Sequence, residues 1–212
     1  MTLIYLIRHG ETDWNLNGRW QGQTDIPLND TGRQQAHLLA AHLSQYRGMF
    51  RRLYSSDLGR AWDTAAIVGA ALGMPPAALP GWRELDVGRW GGLTRDEQIA
   101  LDPGLYRRFQ AGEDVPYGGA ERWSDLVARL RRGLDWLGQS HPGDTVAVVT
   151  HGGPIRACLG HIARLETPRE GRDLAVVNTS YSVLRREAGD WVVVSANNRP
   201  HLESVADTAR LL

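Results

Sequence analysis

The sequence LIRHGET at residues 6–12 ends an apolar run abruptly in a cation, an imidazole and a glycine. Residues 2–7 are rich in β-branched and aromatic side chains without a helical period, which predicts a short buried strand. Ligands of open α/β sheets bind outside the carboxyl ends of strands, where these polar residues begin. Arg8 offers a rigid fork of donors suited to phosphate or carboxylate, and Gly10 permits a sharp turn. The alternative is an ordinary polar loop whose histidine only satisfies its neighbours, and this segment alone does not separate the two interpretations.

A second strand ends in the same way. Residues 145–149 (TVAVV) have the pattern of a buried parallel strand, and the sequence THGGP follows at 150–154. Pro154 suits the start of a helix, which we expect to run to about Arg164. Because two strands each end in histidine followed by glycine, coincidence is a poor explanation for either.

The remaining pattern alternates strands with helices. A helix is expected at about 31–46, begun by a capping box of Thr31 and Gln34, and another is expected through Leu72 with Ser56 or Asp57 as its cap. The further expected elements are strands at 52–55, near Leu79, 176–177, 181–185 and 191–195, and a helix at about 121–138. This alternation favours an α/β fold with a mostly parallel sheet covered on both faces.

The chain has 212 residues, a length typical of a single domain, and we expect one domain to span residues 1–212. Within it, residues of about 93–120 are predicted to form a helical insertion over the active site, with a capping box at Thr94 and a helix restarted at Pro103. The long polar loop at 10–28 is expected to be functional. No element is predicted for the tail after Leu202.

Composition excludes several kinds of chemistry. The formal net charge is zero, and all 24 side chains of lysine or arginine type are arginine. Schiff-base catalysis and a phosphate-loop lysine are therefore excluded, and nucleic-acid or membrane partners are not expected. The single Cys158 rules out a cysteine metal cluster and fits a core position in a reducing compartment. The first apolar run is too short for a signal peptide or a membrane span, so a cytoplasmic protein is expected.

Four side chains are expected to converge at the strand ends. Arg60 falls in the first turn of the helix that follows the second strand. If the three strands are parallel neighbours, Arg8, His9, Arg60 and His151 meet in one pocket, where guanidinium groups and helix amides form an anion hole for a phosphoryl group. Neighbouring arginines disfavour a protonated ring, so His9 is expected to be neutral and able to attack phosphorus.

Such a reaction needs a proton donor for the leaving oxygen. Glu84, in the loop at 83–92, is the best placed carboxylate by sequence context. Glu11, Asp57 and Asp86 are rivals, and each carboxylate is equally suited to a cap or a solvated loop position. The residues alone leave this choice open.

Four motifs together resemble the histidine phosphatase superfamily, in its phosphoglycerate mutase-like branch. They are LIRHGETDWN at 6–15, SSDLGRAWDTA at 55–65, RELDVGRWGG at 83–92 and VVTHGGPIRA at 148–157. They occur in the order expected of that family and cover nearly the whole chain. The resemblance implies a three-layer α/β/α sandwich with a mostly parallel central sheet.

The resemblance also implies residue roles. His9 would be the phosphorylated nucleophile and Glu84 the proton donor, while Arg8, Arg60 and His151 would bind the phosphoryl group. The nearby substrate-binding positions that it implies are Asn15, Gln21, Gly22 and the backbone at Gly152. Residues 178–180 (NTS) match a late motif of the family, whereas GAE at 119–121 departs from the commoner Gly-Glu-Ser.

These observations predict a phosphomonoesterase that acts on a small organic phosphate through phosphohistidine, without a metal or another cofactor. Trp14, Trp20 and Trp90 are expected to contact the organic group, and a homodimer is compatible with the sequence. A cofactor-dependent phosphoglycerate mutase is the main alternative; it is weakened by the lack of lysine but kept open by Arg107 and Arg108. A non-catalytic module that binds a phosphorylated ligand is the third possibility.

Overall fold

The structure is a computed structural model that describes residues 1–165 and 167–203. Its strands are β1 (Leu3–Arg8), β2 (Phe50–Ser55), β3 (Ala77–Ala78), β4 (Thr145–Thr150), β5 (Tyr181–Glu187) and β6 (Asp190–Asn198). Its helices are α1 (Asp13–Leu16), α2 (Asp30–Ser44), α3 (Gly59–Leu72), α4 (Arg95–Leu101), α5 (Pro103–Gln110), α6 (Trp123–Ser140), α7 (Gly152–Ile162) and α8 (Pro168–Arg172). Three short 3₁₀ turns lie at Pro80–Trp82, Gly88–Trp90 and Tyr117–Gly119.

The sheet brings the two histidine-bearing strand ends together. Its strand order is β3-β2-β4-β1-β5-β6, in which β3, β2, β4 and β1 are parallel and the last two strands are antiparallel to their neighbours. Arg8 at the end of β1 pairs with Thr150 at the end of β4, and Ser55 of β2 pairs with Val149. The carboxyl ends of the three central strands therefore lie at one edge, as the sequence predicted.

Two apolar layers cover the sheet. On one face Ile7 packs with the buried residues of α2 and α3, and on the other face Leu6 packs with those of α6 and α7. Adjacent strand residues point to opposite faces, so consecutive apolar residues in β1 serve both layers. The predicted three-layer α/β/α sandwich is confirmed.

The helix starts differ from the predicted caps. The cap of α2 is Asn29, whose side chain accepts the Gly32 N–H at 2.8 Å, and the predicted box of Thr31 and Gln34 is wrong. Asn29 holds the extended conformation of a cap, whereas Thr31 already lies within the helix. Neither Ser56 nor Asp57 caps α3; its first amide, of Gly59, donates to Asp25 of the 10–28 loop at 2.7 Å.

Other element predictions need smaller corrections. Residues 176–177 are not a strand, the loop at 10–28 contains the one-turn helix α1, and α8 was not predicted. Short helices carry too few apolar residues to show a period, so they are hard to recognise in sequence. The capping box at Thr94 and the helix start at Pro103 are confirmed.

The sequence predicted no element for the tail after Leu202. Of that tail, only Glu203 is among the described residues. Within the described part of the chain, every helix is too short or too polar to cross a membrane. Cys158 is buried in the apolar layer on the α6 and α7 face, as predicted, and burial raises the pKa of its thiol.

The loop that follows β1 crosses the first turn of α2 at close range. A Cβ atom at Gly10 would overlap the carbonyl oxygen of Gly32, and a Cβ atom at Gly32 would overlap that of Glu11. Both obstacles are backbone atoms, so neither can rotate away. Glycine is therefore required at both positions by close approach.

We expect Gly10→Ala to lower the free energy of unfolding by about 1–3 kcal/mol, because the new methyl group overpacks this crossing. Gly81→Ala is the matched control, since a Cβ atom there has no neighbour within 4 Å; its expected effect is within about 0.5 kcal/mol. Urea unfolding followed by circular dichroism measures both variants. Equal stability of the two would contradict the crossing described above.

Candidate active site

The side chains predicted to meet at the strand ends do so. A cavity of about 590 Å³ opens there, and Arg8, His9, Arg60 and Glu84 line it. His151 lies behind His9, with ring centroids 5.1 Å apart. Both imidazoles are almost completely buried. The parallel register of the three central strands produces this arrangement.

The imidazole of His9 is held as a neutral base. Its Nδ1 lies 2.6 Å from the carbonyl oxygen of Gly10. Because a carbonyl only accepts, Nδ1 carries the proton and Nε2 keeps its lone pair. Burial, followed by the charges of Arg60 and Arg8, lowers the pKa of His9 well below its ordinary value. The ring is thus neutral, and its nucleophilic nitrogen is Nε2.

His151 is a second neutral ring. Its Nε2 lies 2.8 Å from the hydroxyl oxygen of Ser56, while its buried Nδ1 has no hydrogen-bond partner among the described residues. Burial and then Arg60 lower its pKa well below the usual range. Ser56, expected only as a helix cap, therefore orients an imidazole of the site. A hydroxyl both donates and accepts, so it suits either tautomer of that ring.

The guanidinium groups of Arg8 and Arg60 are held by main-chain carbonyls. Arg60 donates from Nη2 to Gly22 at 2.7 Å and from Nη1 to Thr24 at 2.8 Å, and Arg8 donates to Val176 at 2.7 Å. Neither forms an ion pair within 4.0 Å in the described part of the chain. Burial is the main cause that lowers the pKa of both groups, that of Arg8 to about 10. Their positive charge is therefore left for a bound anion.

Glu84 separates from its three rivals by position. Its two carboxylate oxygens accept the N–H groups of Leu85 at 2.8 Å and Gly153 at 3.2 Å. Of the four carboxylates considered from sequence, only Glu84 lines the cavity.

The rival carboxylates have other partners. Glu11 accepts from Asn29 at 3.0 Å, and exposed Asp86 accepts from Gly88. Asp57 forms a two-pronged pair with Arg83, whose hydrogen bonds lower the pKa of that carboxyl. Each rival therefore has a local structural role.

The predicted substrate-binding positions are only partly at the cavity wall. Asn15, Gln21 and Gly22 line the cavity, and the buried Oε1 of Gln21 has no partner among the described residues. Gly152 begins α7 but is not part of the wall. A Cβ atom at Gly152 would lie 2.7 Å from Nη1 of Arg156, so this glycine makes room for an arginine.

The late motif at 178–180 forms hydrogen bonds with the backbone of the nucleophile segment. Asn178 donates to the carbonyl oxygen of His9 at 3.0 Å and to Oδ1 of Asn15 at 3.2 Å. The amide of Thr179 lies within hydrogen-bond distance of the carbonyls of Arg8 and His9. These contacts fix the backbone on which both side chains stand.

The aromatic residues at the mouth of the cavity are not the three tryptophans expected from the sequence. Trp90 is fully buried in the core, and Trp14 packs over Gly92, so of the three predicted tryptophans only Trp20 reaches the wall. The aromatic wall is completed by Tyr106, Phe109, Tyr117 and Trp123.

Five arginines of the wall were missed in the sequence: Arg19, Arg95, Arg156, Arg169 and Arg172. Only Arg156 had a recognisable signal, because it stands one helical turn after Gly152 at a helix start that carries the site. By contrast, Arg107 and Arg108 do not line the cavity. Within the described residues, no three histidine, cysteine, aspartate or glutamate side chains are grouped to hold a metal ion.

Two plant proteins are similar to this chain in sequence over most of their length. The phosphoglycerate mutase-like protein 4 of Arabidopsis thaliana is 38% identical over 205 residues, which cover 94% of this chain and 86% of that protein. The metal-independent phosphoserine phosphatase of the same plant is 34% identical, over 97% of this chain and 85% of the relative.

A solved structure agrees with these relatives. The phosphoserine phosphatase of Entamoeba histolytica in complex with 3-phosphoglyceric acid superposes with a TM-score of 0.86 and 31% identity, over 95% of this chain and all of the other. The family model of the histidine phosphatase superfamily (branch 1) matches residues 4–199. With the motifs, the fold and nearly the full described length in agreement, this chain belongs to the histidine phosphatase superfamily.

Proposed function

We propose that the chain hydrolyses phosphomonoesters of small organic molecules in two steps, with His9 as the covalently phosphorylated residue and without a metal ion. The observation that carries the proposal is the neutral, buried imidazole of His9, whose Nε2 is free beside two guanidinium groups that lack carboxylate partners among the described residues. A phosphoryl dianion would meet both its nucleophile and its counter-charges in one place.

In the first step, Nε2 of His9 attacks phosphorus while the bond from phosphorus to the ester oxygen breaks. Glu84 gives its proton to that leaving oxygen. Arg8, Arg60 and His151 bind the phosphoryl oxygens, and the charge that develops there is stabilised by donors already in position. The proton on Nδ1 of His9 stays on that nitrogen throughout, donated in a hydrogen bond to the carbonyl oxygen of Gly10.

In the second step, Glu84 acts as a base. Its carboxylate takes a proton from a water molecule whose oxygen attacks the phosphohistidine, and the bond from phosphorus to Nε2 breaks. The electron pair returns to the imidazole, and inorganic phosphate leaves. One carboxyl group thus serves as the acid in the first step and the base in the second.

The remaining predicted positions are proposed as substrate contacts. Asn15 and Gln21 offer amide groups at the wall, and Gly22 contributes through the carbonyl that holds Arg60. Gly152 acts through its backbone at the start of α7, where free N–H groups favour an anion. Residues of about 93–120 are proposed as an insertion over the site within a single domain of 1–212, an assignment supported by Tyr106 and Phe109 at the wall.

Hydrolysis is favoured over the mutase alternative. A mutase must hold a second phosphate or carboxylate with further cations and keep water out. Arg107 and Arg108 kept the mutase alternative open, but neither lines the cavity and Arg108 pairs with Glu113, so they no longer support it. Phosphate release is measured beside interconversion of 3- and 2-phosphoglycerate, and rapid interconversion with little phosphate release would overturn hydrolysis.

A cytoplasmic location and a homodimer are proposed as well. The location is supported by the single cysteine, which fits a reducing compartment. The dimer is supported by β6, the edge strand of the sheet, where Val193 and Val194 are 37% and 50% exposed. Exposed apolar edge strands are ready to pair with another strand.

We expect His9→Ala to form no phosphoenzyme, because the variant lacks the imidazole that accepts the phosphoryl group. Labelled substrate, an alkaline quench and a search for acid-labile phosphate measure it. His37→Ala, an exposed histidine of α2, is the matched control and should be labelled like the wild type. Labelling of a folded His9→Ala variant would contradict the assignment of the nucleophile.

The Glu84→Gln variant tests the proton donor. Alkyl phosphates need protonation of the leaving oxygen, so their kcat/KM should fall by about 10²–10⁴-fold, whereas aryl phosphates should lose far less. Glu113→Gln, which alters an exposed carboxylate outside the cavity, is the control. Equal losses on both substrate classes would exclude Glu84 as the acid.

The depressed pKa of His9 predicts activity at mildly acidic pH. An ordinary imidazole with a pKa of about 6.5 would be only about one tenth neutral at pH 5.5, whereas a ring with a lower pKa stays neutral there. Rapid-quench phosphorylation by p-nitrophenyl phosphate, corrected for substrate ionisation, should keep at least about half of its pH 7 rate. A rate that falls with a pKa near 6.5 would show an unperturbed nucleophile.

A further inference from the structure

We propose that Arg156 is a specificity residue that binds a carboxylate carried by the substrate beside its phosphate ester. The inference rests on the proposed phosphatase function and assigns the substrate class of the same cavity. It follows from where the Arg156 side chain lies, from the lack of an ion-pair partner among the described residues and from its position near Glu84.

Two glycines at the start of α7 leave space for the side chains of Arg156 and Glu84. Arg156 stands one turn after Gly152, and helical side chains lean towards the N-terminus, so its guanidinium lies over that glycine. The point where a Cβ atom of residue 152 would be is 2.7 Å from Nη1 of Arg156 and 3.6 Å from Nε of Arg8. At the next residue, Gly153, the same point is occupied by the carboxylate of Glu84.

Arg156 is a partly buried cavity arginine that makes no ion pair with the described residues. Its Nε donates to the carbonyl of Leu174 at 2.8 Å, while its terminal nitrogens make no hydrogen bond or ion pair with the described residues. The side chain is only partly exposed, and burial lowers its pKa. A withdrawn guanidinium with two free terminal nitrogens is suited to a bound anion.

Other arginines at the wall have partners or lie in solvent. Arg19 pairs with Glu97 at 2.7 Å, and Arg169 lies 3.8 Å from Asp173. Arg172 donates to the hydroxyl of Tyr117 and lies over the ring of Phe109. These contacts orient the three side chains at the outer wall. Arg95 is exposed and therefore well hydrated.

The position beside Glu84 decides which part of the substrate Arg156 contacts. In the proposed first step Glu84 faces the leaving oxygen, so the organic group extends from that side. The guanidinium of Arg156 lies beside Gly152, next to the glycine that faces Glu84, and therefore meets the organic group. A planar fork binds a carboxylate with two parallel hydrogen bonds. A monoanionic carboxylate also suffers less repulsion from Glu84 than a second phosphate dianion would.

Two substrate pairs that differ in the carboxylate test the inference. The pairs are O-phosphoserine with O-phosphoethanolamine, and 3-phosphoglycerate with glycerol phosphate. We expect the wild type to prefer the carboxylate member of at least one pair by about 10- to 100-fold in kcat/KM, the effect of a hydrogen bond to a charged group. No such preference in either pair would overturn the proposal without any variant being made.

Variants then assign the preference to Arg156. Arg156→Gln should lower kcat/KM for the preferred carboxylate substrate by about 10- to 100-fold, mainly through KM, and change its partner substrate little. Arg156→Lys, which keeps the charge but loses the fork, should recover part of the loss. Arg107→Gln, an exposed arginine of α5 outside the cavity, is the matched control and should preserve the wild-type preference.

Each remaining outcome has a distinct meaning. Equal losses on both members of a pair would place Arg156 at the phosphoryl group and overturn the proposal, and so would an unchanged preference in a folded Arg156→Gln variant. Folding is checked by thermal unfolding, because the bond to Leu174 is also lost in that variant. Release of phosphate from p-nitrophenyl phosphate reports on the phosphatase function separately: its absence in the wild type would defeat that function rather than the carboxylate site alone.

Discussion

Two guanidinium groups held only by main-chain carbonyls are the constraint on which the rest of the site depends. A carboxylate would neutralise the charge of Arg8 or Arg60, whereas a carbonyl satisfies the N–H groups and leaves the charge intact. The carbonyls must come from loops, because those of strands are used within the sheet. The long segment after β1 and the segment before β5 therefore fold inwards, and they supply Gly22, Thr24 and Val176.

Burial, together with the same two charges, determines the protonation state of both imidazoles. A protonated ring between them would add a third positive charge in a place with little water, so His9 and His151 remain neutral. His9 keeps a single tautomer because its Nδ1 faces a carbonyl oxygen that accepts only. The chemistry expected of the nucleophile thus follows from its burial and from the cations nearby, and the carbonyl of Gly10 orients the ring where another site would use a carboxylate.

The features that sequence predicted correctly are those that depend on neighbouring residues. The apolar runs of β1 and β4 and the polar residues that end them are contiguous, so the sheet and the convergence of Arg8, His9, Arg60 and His151 followed from local patterns. Contacts between distant segments were not accessible in this way. Trp90 lies in the core, where its ring contacts those of Trp20 and Phe109 from distant segments. Asn29 is the cap rather than Thr31 because Asn29 has the extended backbone of a cap. The position of Arg156 over Gly152 was missed, although its spacing from that glycine at a helix start is visible in the sequence.

The close crossing at Gly10 and Gly32 divides the loop after β1 into parts with different freedom to change. One end is pinned where it passes the first turn of α2, and the region near Gly22 is pinned by Arg60. Between these anchors, Arg19 and Trp20 reach the cavity wall, while Leu16 is 69% exposed. Variation at residues 16–20 reshapes the entrance, whereas Asn15, which accepts from Asn178, belongs to the part that keeps the geometry of the phosphoryl pocket. A lineage that acquires a new ester as substrate has its readiest route through these residues, since changes there leave the two anchors in place.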